Sequence, residues 1–564
     1  MTRKELAALV AILAWLALGA QVALATPTLN AVVGLGDRFV PGRFTPVTVT
    51  VAGLPLDAVS LRFVHAVGNA WRGQASMTYE VPLALSDAGT QEEVLPLYDA
   101  SLPLRVELLG SGGEILARTQ IELRQRKEDA AFPVAVGSFP LPVAERLILL
   151  APEELPHQWS GYDSAESLWI GRTRGGVDAD CWDALARWVL SGGTLVVFSG
   201  SDFYLLDAPV LRDLLPLETP VLIERADGIR ALEGRVREDA RVLLVHDDVP
   251  WLISRRFGAG VVLLVTTDAF SVDGVGLAEL RAKVPPARIL SLLGTTSALL
   301  NEQPVDGPAP WAALLLVAAG LIALSAIIVG REWRPWMGTA LLGVFGLLAV
   351  SSGFYANRAR TVSDVYLTDT ELHVEVQFGI ILSCTGCFSA SRDTLHLQVS
   401  AGHPPLQALP RSFQETSYDL RYRLGEAGLS LSPGERRLFV GRDVALSSLH
   451  ARLTGDEEVR ITSRLPRALA ESLLIVDAEA FPLPPLQPGE TTAYLGTATA
   501  LGNARLGDRE APLERLFVEA ARALPFDRGV WLVAGEVVDA TPRGDGPRTK
   551  VRDVRLYVVE VTRD

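Results

Sequence analysis

Cysteine is scarce in this chain: three residues in 564. That excludes a scaffold built on disulfides. An excess of positive charge is also lacking. The chain holds 52 Lys and Arg against 66 Asp and Glu, for a formal net charge of −14. A general nucleic-acid role needs a basic face, so that class is disfavoured. Phosphate-cradling glycine motifs and clusters with metal-ligand spacing do not stand out, so no cofactor and no metal is expected. Lysine is rare beside abundant Arg, Leu, Ala and Val, the composition of a GC-rich bacterial genome. What is plentiful is apolar residue, 49% of the chain, at a length that holds several domains.

The first residues read as a secretion signal. Arg3 and Lys4 precede an apolar run from Leu6 to about Ala20, and Ala23-Leu24-Ala25 offers the small residues of a cleavage site before Thr26. Residues 1–25 are therefore expected to be a signal peptide. Two later runs, 311–330 and 337–355, carry no charge and match a hydrocarbon core of ~30 Å. The link "REWRPW" between them holds no domain, so the pair is expected to form a transmembrane hairpin. Arg331 and Arg334 in that link agree with the positive-inside rule, and Trp311, Trp333 and Trp336 with interfacial anchoring. The expected location is the plasma membrane, with both large parts extracytoplasmic, and the lipid bilayer is one expected partner.

Residues 27–125 read as an immunoglobulin-like β-sandwich: "FTPVTVTVAG", "AVSLRFVHAV", "ASMTYEVPLAL" and "LPLRVELLG" are short, β-branched runs broken by Gly, Asp and Pro. The charged run "RQRKEDAAFP" reads as a linker. Residues 133–300 then alternate strand and helix. In "DADCWDALARWVLSGG", Asp178 or Asp180 can cap a helix and Gly192 or Gly193 can end it. Trp182, Leu185, Ala186, Val189 and Leu190 fall on one face. The strand "TLVVF" follows at once, which makes a βαβ unit of a parallel sheet. "WLISRRFGAG" and "VVLLVTTDAF" suggest a hairpin over Gly258-Ala259-Gly260. Residues 360–564 read as a second β-rich, sandwich-like domain. "ELHVEVQFGIIL" is taken there as one strand, and "APLERLFVEAARALP" as an amphipathic helix with Leu513, Leu516, Phe517, Ala520 and Leu524 inward.

Three stretches carry a resemblance: "GYDSAESLWIG", "WDALARWVLSGGTLVVFSG" and "RRFGAGVVLLVTTDAF". An Asp before a strand, a Trp-bearing helix ending in Gly-Gly, and a Gly-x-Gly hairpin before the last strand resemble the degenerate class I glutamine-amidotransferase-like domain of bacterial membrane proteins. The order of parts is similar too: β-sandwich, amidotransferase-like domain, transmembrane pair, β-rich tail. The resemblance implies a flavodoxin-like α/β fold for residues 133–300. It also implies where chemistry would sit. Active members carry a nucleophilic Cys in a Gly-x-Cys-x-Gly elbow and a later His-x-Glu. Here the matching turn is "FSGSDF" and the last strand ends in "TTDAF". Thiol and imidazole are both missing, so no catalytic residue is expected.

Other residues present alternatives. Ser199 or Ser201 could be a nucleophile, with His246 as base and Asp247 or Asp248 orienting it, although the G-x-S-x-G pattern lacks its first glycine. Cys384 and Cys387 form a C-x-x-C pair without the helix that a redox motif needs. A disulfide at the tip of a β-hairpin is the expectation. Cys181 reads as a packed small hydrophobe. His157 and Trp159 lie on a loop before a strand, where open α/β sheets bind ligands. The leading expectation is a non-catalytic, membrane-anchored envelope protein that presents binding or scaffold domains to other envelope or membrane proteins. The alternatives are an envelope serine hydrolase and a carbohydrate-binding subunit of a polymer-export system.

Overall fold

A computed structural model describes residues 27–302 and 365–563, and Gly320, apart from short stretches, of which 68–74, 141–146, 200–207, 401–405, 408–418, 507–511 and 541–548 are the longer. The signal-like segment 1–25 and, Gly320 apart, the apolar runs 311–330 and 337–355 fall outside them.

Strands dominate. The α-helices among the described residues are α1 (Ala179–Leu190), α2 (Pro209–Leu214), α3 (Gly274–Lys283), α4 (Leu293–Glu302) and α5 (Pro512–Ala523). None is long and apolar enough to cross a membrane. The expected fold class is therefore corrected: the body is mostly β, and a two-helix transmembrane hairpin finds no support.

The α/β unit is a seven-stranded sheet in the order Ala240–His246, Val249–Phe257, Gly260–Val265, Thr194–Phe198, Ala165–Ile170, Phe132–Val136, Ile148–Leu150. The last five run parallel, and Val249–Phe257 pairs antiparallel with both of its neighbours. Both faces are covered. Val134, Leu168, Leu195 and Val197 pack with α1, while Trp169, Val196, Leu263 and Val265 pack with Leu277 and Leu280 of α3. Burial on both faces is why "TLVVF" is apolar at every position. Asp178 caps α1 by accepting from the Asp180 N–H at 3.0 Å. Two glycines behind α1 are demanded by space. A Cβ on Gly192, at φ +122°, would meet the Arg288 carbonyl oxygen at 2.1 Å, and one on Gly260 would meet the Val189 carbonyl oxygen at 2.0 Å.

The two β-rich ends are not separate sandwiches. The strand Asp419–Arg423 pairs in parallel with Ala75–Pro82, Asp419 opposite Ser76. Three strands from the C-terminal half thereby complete a seven-stranded sheet with Ala75–Pro82, Ala58–Val67, Leu104–Gly110 and Ile115–Ile121. Their core mixes Val47, Phe63, Tyr79 and Leu95 with Val365, Cys387, Leu420 and Phe439. The central sheet of the C-terminal half is nine-stranded. A four-stranded sheet packs on part of it, through Ala451, Ile461, Leu532 and Val559. Its strands Val365–Glu375 and Gly379–Ser389 form a hairpin across Val376-Gln377-Phe378. "ELHVEVQFGIIL" is thus two strands and a turn, not one strand. Leu382 and Val374 on this hairpin share a core with α1 and with Leu513, Leu516 and Phe517 of α5.

Candidate functional site

Ser199 follows the central parallel strand, where an α/β enzyme would place its nucleophile. Its side chain is buried, and its hydroxyl donates to the Val265 carbonyl at 3.1 Å. Its own N–H donates to the same carbonyl at 3.2 Å. Both donors reach across to the end of the neighbouring strand, which ties the hydroxyl down as a structural link. His246 ends the edge strand Ala240–His246, three strands away. At the usual strand spacing that is about 14 Å, far beyond hydrogen-bond reach. Ser199 and His246 are thus not brought together. Ser201 and Asp247 fall outside the described residues. Asp248 is exposed, at φ +61°. Just after the strand Gly260–Val265, Asp268 caps a short turn through the Phe270 N–H and pairs with Arg172 at 2.6 Å.

The loop before the Ala165–Ile170 strand carries more. His157 presents Nδ1 and its backbone N–H to Glu92 of the N-terminal sandwich, at 3.0 and 3.1 Å. Trp159 is buried. Beside it Arg442, from the C-terminal half, is held by Asp163. Its guanidinium lies 5.2 Å from the Trp159 ring centroid and 5.3 Å from that of Phe44. Arg43 donates to the Asp163 carbonyl oxygen. One carboxylate, two guanidiniums and two rings therefore lock three distant stretches of chain. Burial pushes the Asp163 carboxyl up, and Arg442 and Arg43 pull it back. The loop packs against both other parts of the chain. No local pattern announces this pairing, because Asp163 and Arg442 lie 279 residues apart.

Cys384 and Cys387 are both free and buried, which corrects the expected disulfide. They share the strand Gly379–Ser389, on opposite faces: Cys384 joins the core around α1 and Cys387 the sandwich core. Three strand residues advance about 10 Å, whereas a disulfide needs Cα atoms within about 7 Å. Burial pushes the Cys384 and Cys181 thiols up to about 12, and Cys387 further. Cys181 is packed, as expected for a small hydrophobe, with its Sγ 3.4 Å from the Leu155 carbonyl.

The densest set of ionisable groups was missed from the sequence. On the central C-terminal sheet, Asp369, Glu371 and His373 stand in register opposite Asp553, Arg555 and Tyr557. Arg555 Nε pairs with Glu371 at 3.1 Å and Nη1 with Glu536 at 3.3 Å, while His373 meets Glu371 at 2.9 Å. Burial, then Asp553 and Glu371, raise Asp369 to about 6, against the Thr385 hydroxyl that donates to it. Alternation at period two was visible there, but the parallel pairing was not. Among the described residues no group of three or more His, Cys, Asp or Glu is placed to hold a metal ion. No family model matches the chain, and no curated protein matches it.

Proposed function

We propose that this protein is a non-catalytic scaffold of the cell envelope. The observation that carries the reading is the state of Ser199: its hydroxyl is spent on the Val265 carbonyl, and His246 is three strands away. The nucleophile position of the α/β unit links two neighbouring strands, and the unit packs against the β-rich body. Reuse of an enzyme-like fold as a rigid body for partner binding fits that arrangement, by analogy of fold. The expected partners are other envelope or membrane proteins. The leader-like N-terminal composition supports an extracytoplasmic place. A sugar-binding face would show exposed rings in a row; the large exposed aromatics among the described residues, Phe270 and Tyr494, sit on different units.

A serine-directed fluorophosphonate probe tests the reading. The purified protein is expected to stay unlabelled, and Ser199→Ala to keep both its fold and the set of envelope proteins cross-linked to it in intact cells. Labelling that vanishes with Ser199→Ala or Ser201→Ala overturns the proposal in favour of a hydrolase.

A further inference from the structure

The four-stranded sheet of the C-terminal half presents an outer face that its packing does not require. Along Leu449–Thr454 and Glu458–Ser463, alternate residues Ala451, Leu453, Val459 and Ile461 point into the core. The intervening ones face out and are exposed: His450, Arg452, Arg460 and Thr462. The register places Arg452 directly opposite Arg460, and His450 opposite Thr462. The next strand sets Glu490 beside Thr462 and Thr492 beside Arg460. On the other side, Thr562 pairs with Arg452.

Arg452 and Arg460 stand directly opposite each other on this exposed face, so their two guanidiniums serve one spot. The pair is also aimed at a cavity. His450, Arg452, Arg460, Thr462, Glu490 and Thr562 line a groove of about 680 Å³ together with Glu375, Gln377 and Glu560. That volume suits a small molecule. Glu458 holds Arg460 through Nε at 2.9 Å, and Glu375 is fixed by the Ser448 N–H at 3.3 Å. The rim is therefore partly preorganised. Its chemistry has two signs. Forked guanidiniums suit a carboxylate, which they can grip through paired N–H donors. The carboxylates of Glu375, Glu490 and Glu560 suit an ammonium.

We infer that this groove binds a small zwitterion of amino-acid or short-peptide size, its carboxylate on the Arg452–Arg460 pair and its ammonium toward the Glu375, Glu490 and Glu560 carboxylates. The inference uses none of the residues behind the scaffold reading and stands or falls apart from it. Titration calorimetry on the purified full chain tests it, with glycine, diglycine and triglycine as probes. N-acetyl-diglycine lacks the ammonium, and diglycine amide lacks the carboxylate. At least one zwitterion should bind saturably, and both blocked forms at least tenfold more weakly. Arg452→Gln with Arg460→Gln should abolish binding while leaving the circular dichroism spectrum unchanged and lowering the melting temperature only slightly, since both side chains are exposed and surface pairs contribute little. Should that double variant misfold, Glu490→Gln reads the other pole and should weaken the zwitterion several-fold without affecting N-acetyl-diglycine. Absence of saturable binding by all three zwitterions, or equal binding of the blocked forms, or binding indifferent to the substitutions, overturns the inference.

Discussion

Asp369 shows how one side chain couples this fold to pH. Its carboxyl sits among Asp553 and Glu371 and is raised from its ordinary 3.8 to about 6, chiefly by burial. The folded state therefore binds this proton more tightly than the unfolded chain does. The associated stability is fully present below about pH 4 and is lost as the pH rises through about 6. A two-unit shift corresponds to at most about 3 kcal/mol, and partial exposure brings the expectation nearer to about 1–2 kcal/mol. Asp369→Asn should flatten the melting temperature between about pH 4 and 7 and raise it at the upper end, with Thr385 still donating to the side-chain oxygen. An unchanged slope in thermal melts across that range would refute the assignment. The cysteines give a second test at this scale. Cys384 and Cys387, buried on opposite faces of one strand, should resist iodoacetamide in the native protein. Both should be alkylated in denaturant without any reductant, which intact mass reads directly. A mass showing neither alkylated under those conditions means a disulfide and a different strand.

Helix α1 is the element the sequence described most fully, because every signal for it is local. Trp182, Leu185, Ala186, Val189 and Leu190 recur at helical spacing and all are buried. Asp178 precedes them as a cap and Gly192 follows at positive φ. Leu185→Ala should destabilise by about 2–5 kcal/mol, since the surrounding sheet cannot collapse into the void. Asp178→Ala should cost about 1 kcal/mol by freeing one N–H of the first turn. Urea melts at constant slope would measure both, and a larger loss at Asp178 than at Leu185 would contradict this ranking. The helix α5 was legible for the same reason, through Leu513, Leu516, Phe517, Ala520 and Leu524. The hairpin at 376–378 was not. Only Gly379 punctuates it, and the alternating pattern runs through the turn unbroken. Reading one strand there displaced the cysteines to an imagined hairpin tip. That Ser199 follows a buried strand was legible, but its bond to Val265 depends on a neighbour 66 residues away.

At the scale of the whole molecule, the boundaries drawn from composition divide what the structure joins. Residues 27–125 carry the turn spacing and β-branched runs of a sandwich, and those strands form. One of them, Ala75–Pro82, however, pairs with 419–423, which carries 426–431 and then 395–400 into the same sheet, and no local pattern announces a pairing across such a gap. The same holds for Arg442, which reaches between Phe44 and Trp159 to Asp163. Removing one partner of a buried pair leaves the other charge uncompensated, at about 3–5 kcal/mol. Arg442→Gln should therefore loosen all three stretches together. Scanning calorimetry should show one transition at a lower temperature, without a separate transition for residues 27–125. Expression of 27–125 alone sharpens the point. That fragment would expose Ala75–Pro82 as an unpaired edge, with Met77 and Tyr79 stripped of Leu420 and Leu431. An uncovered edge strand is a template for self-association. The fragment is expected to aggregate, and co-expression with 365–563 to restore soluble material containing both pieces. A monomeric 27–125 with a cooperative melt of its own would show that the shared sheet is dispensable and that the sandwich is a domain in its own right.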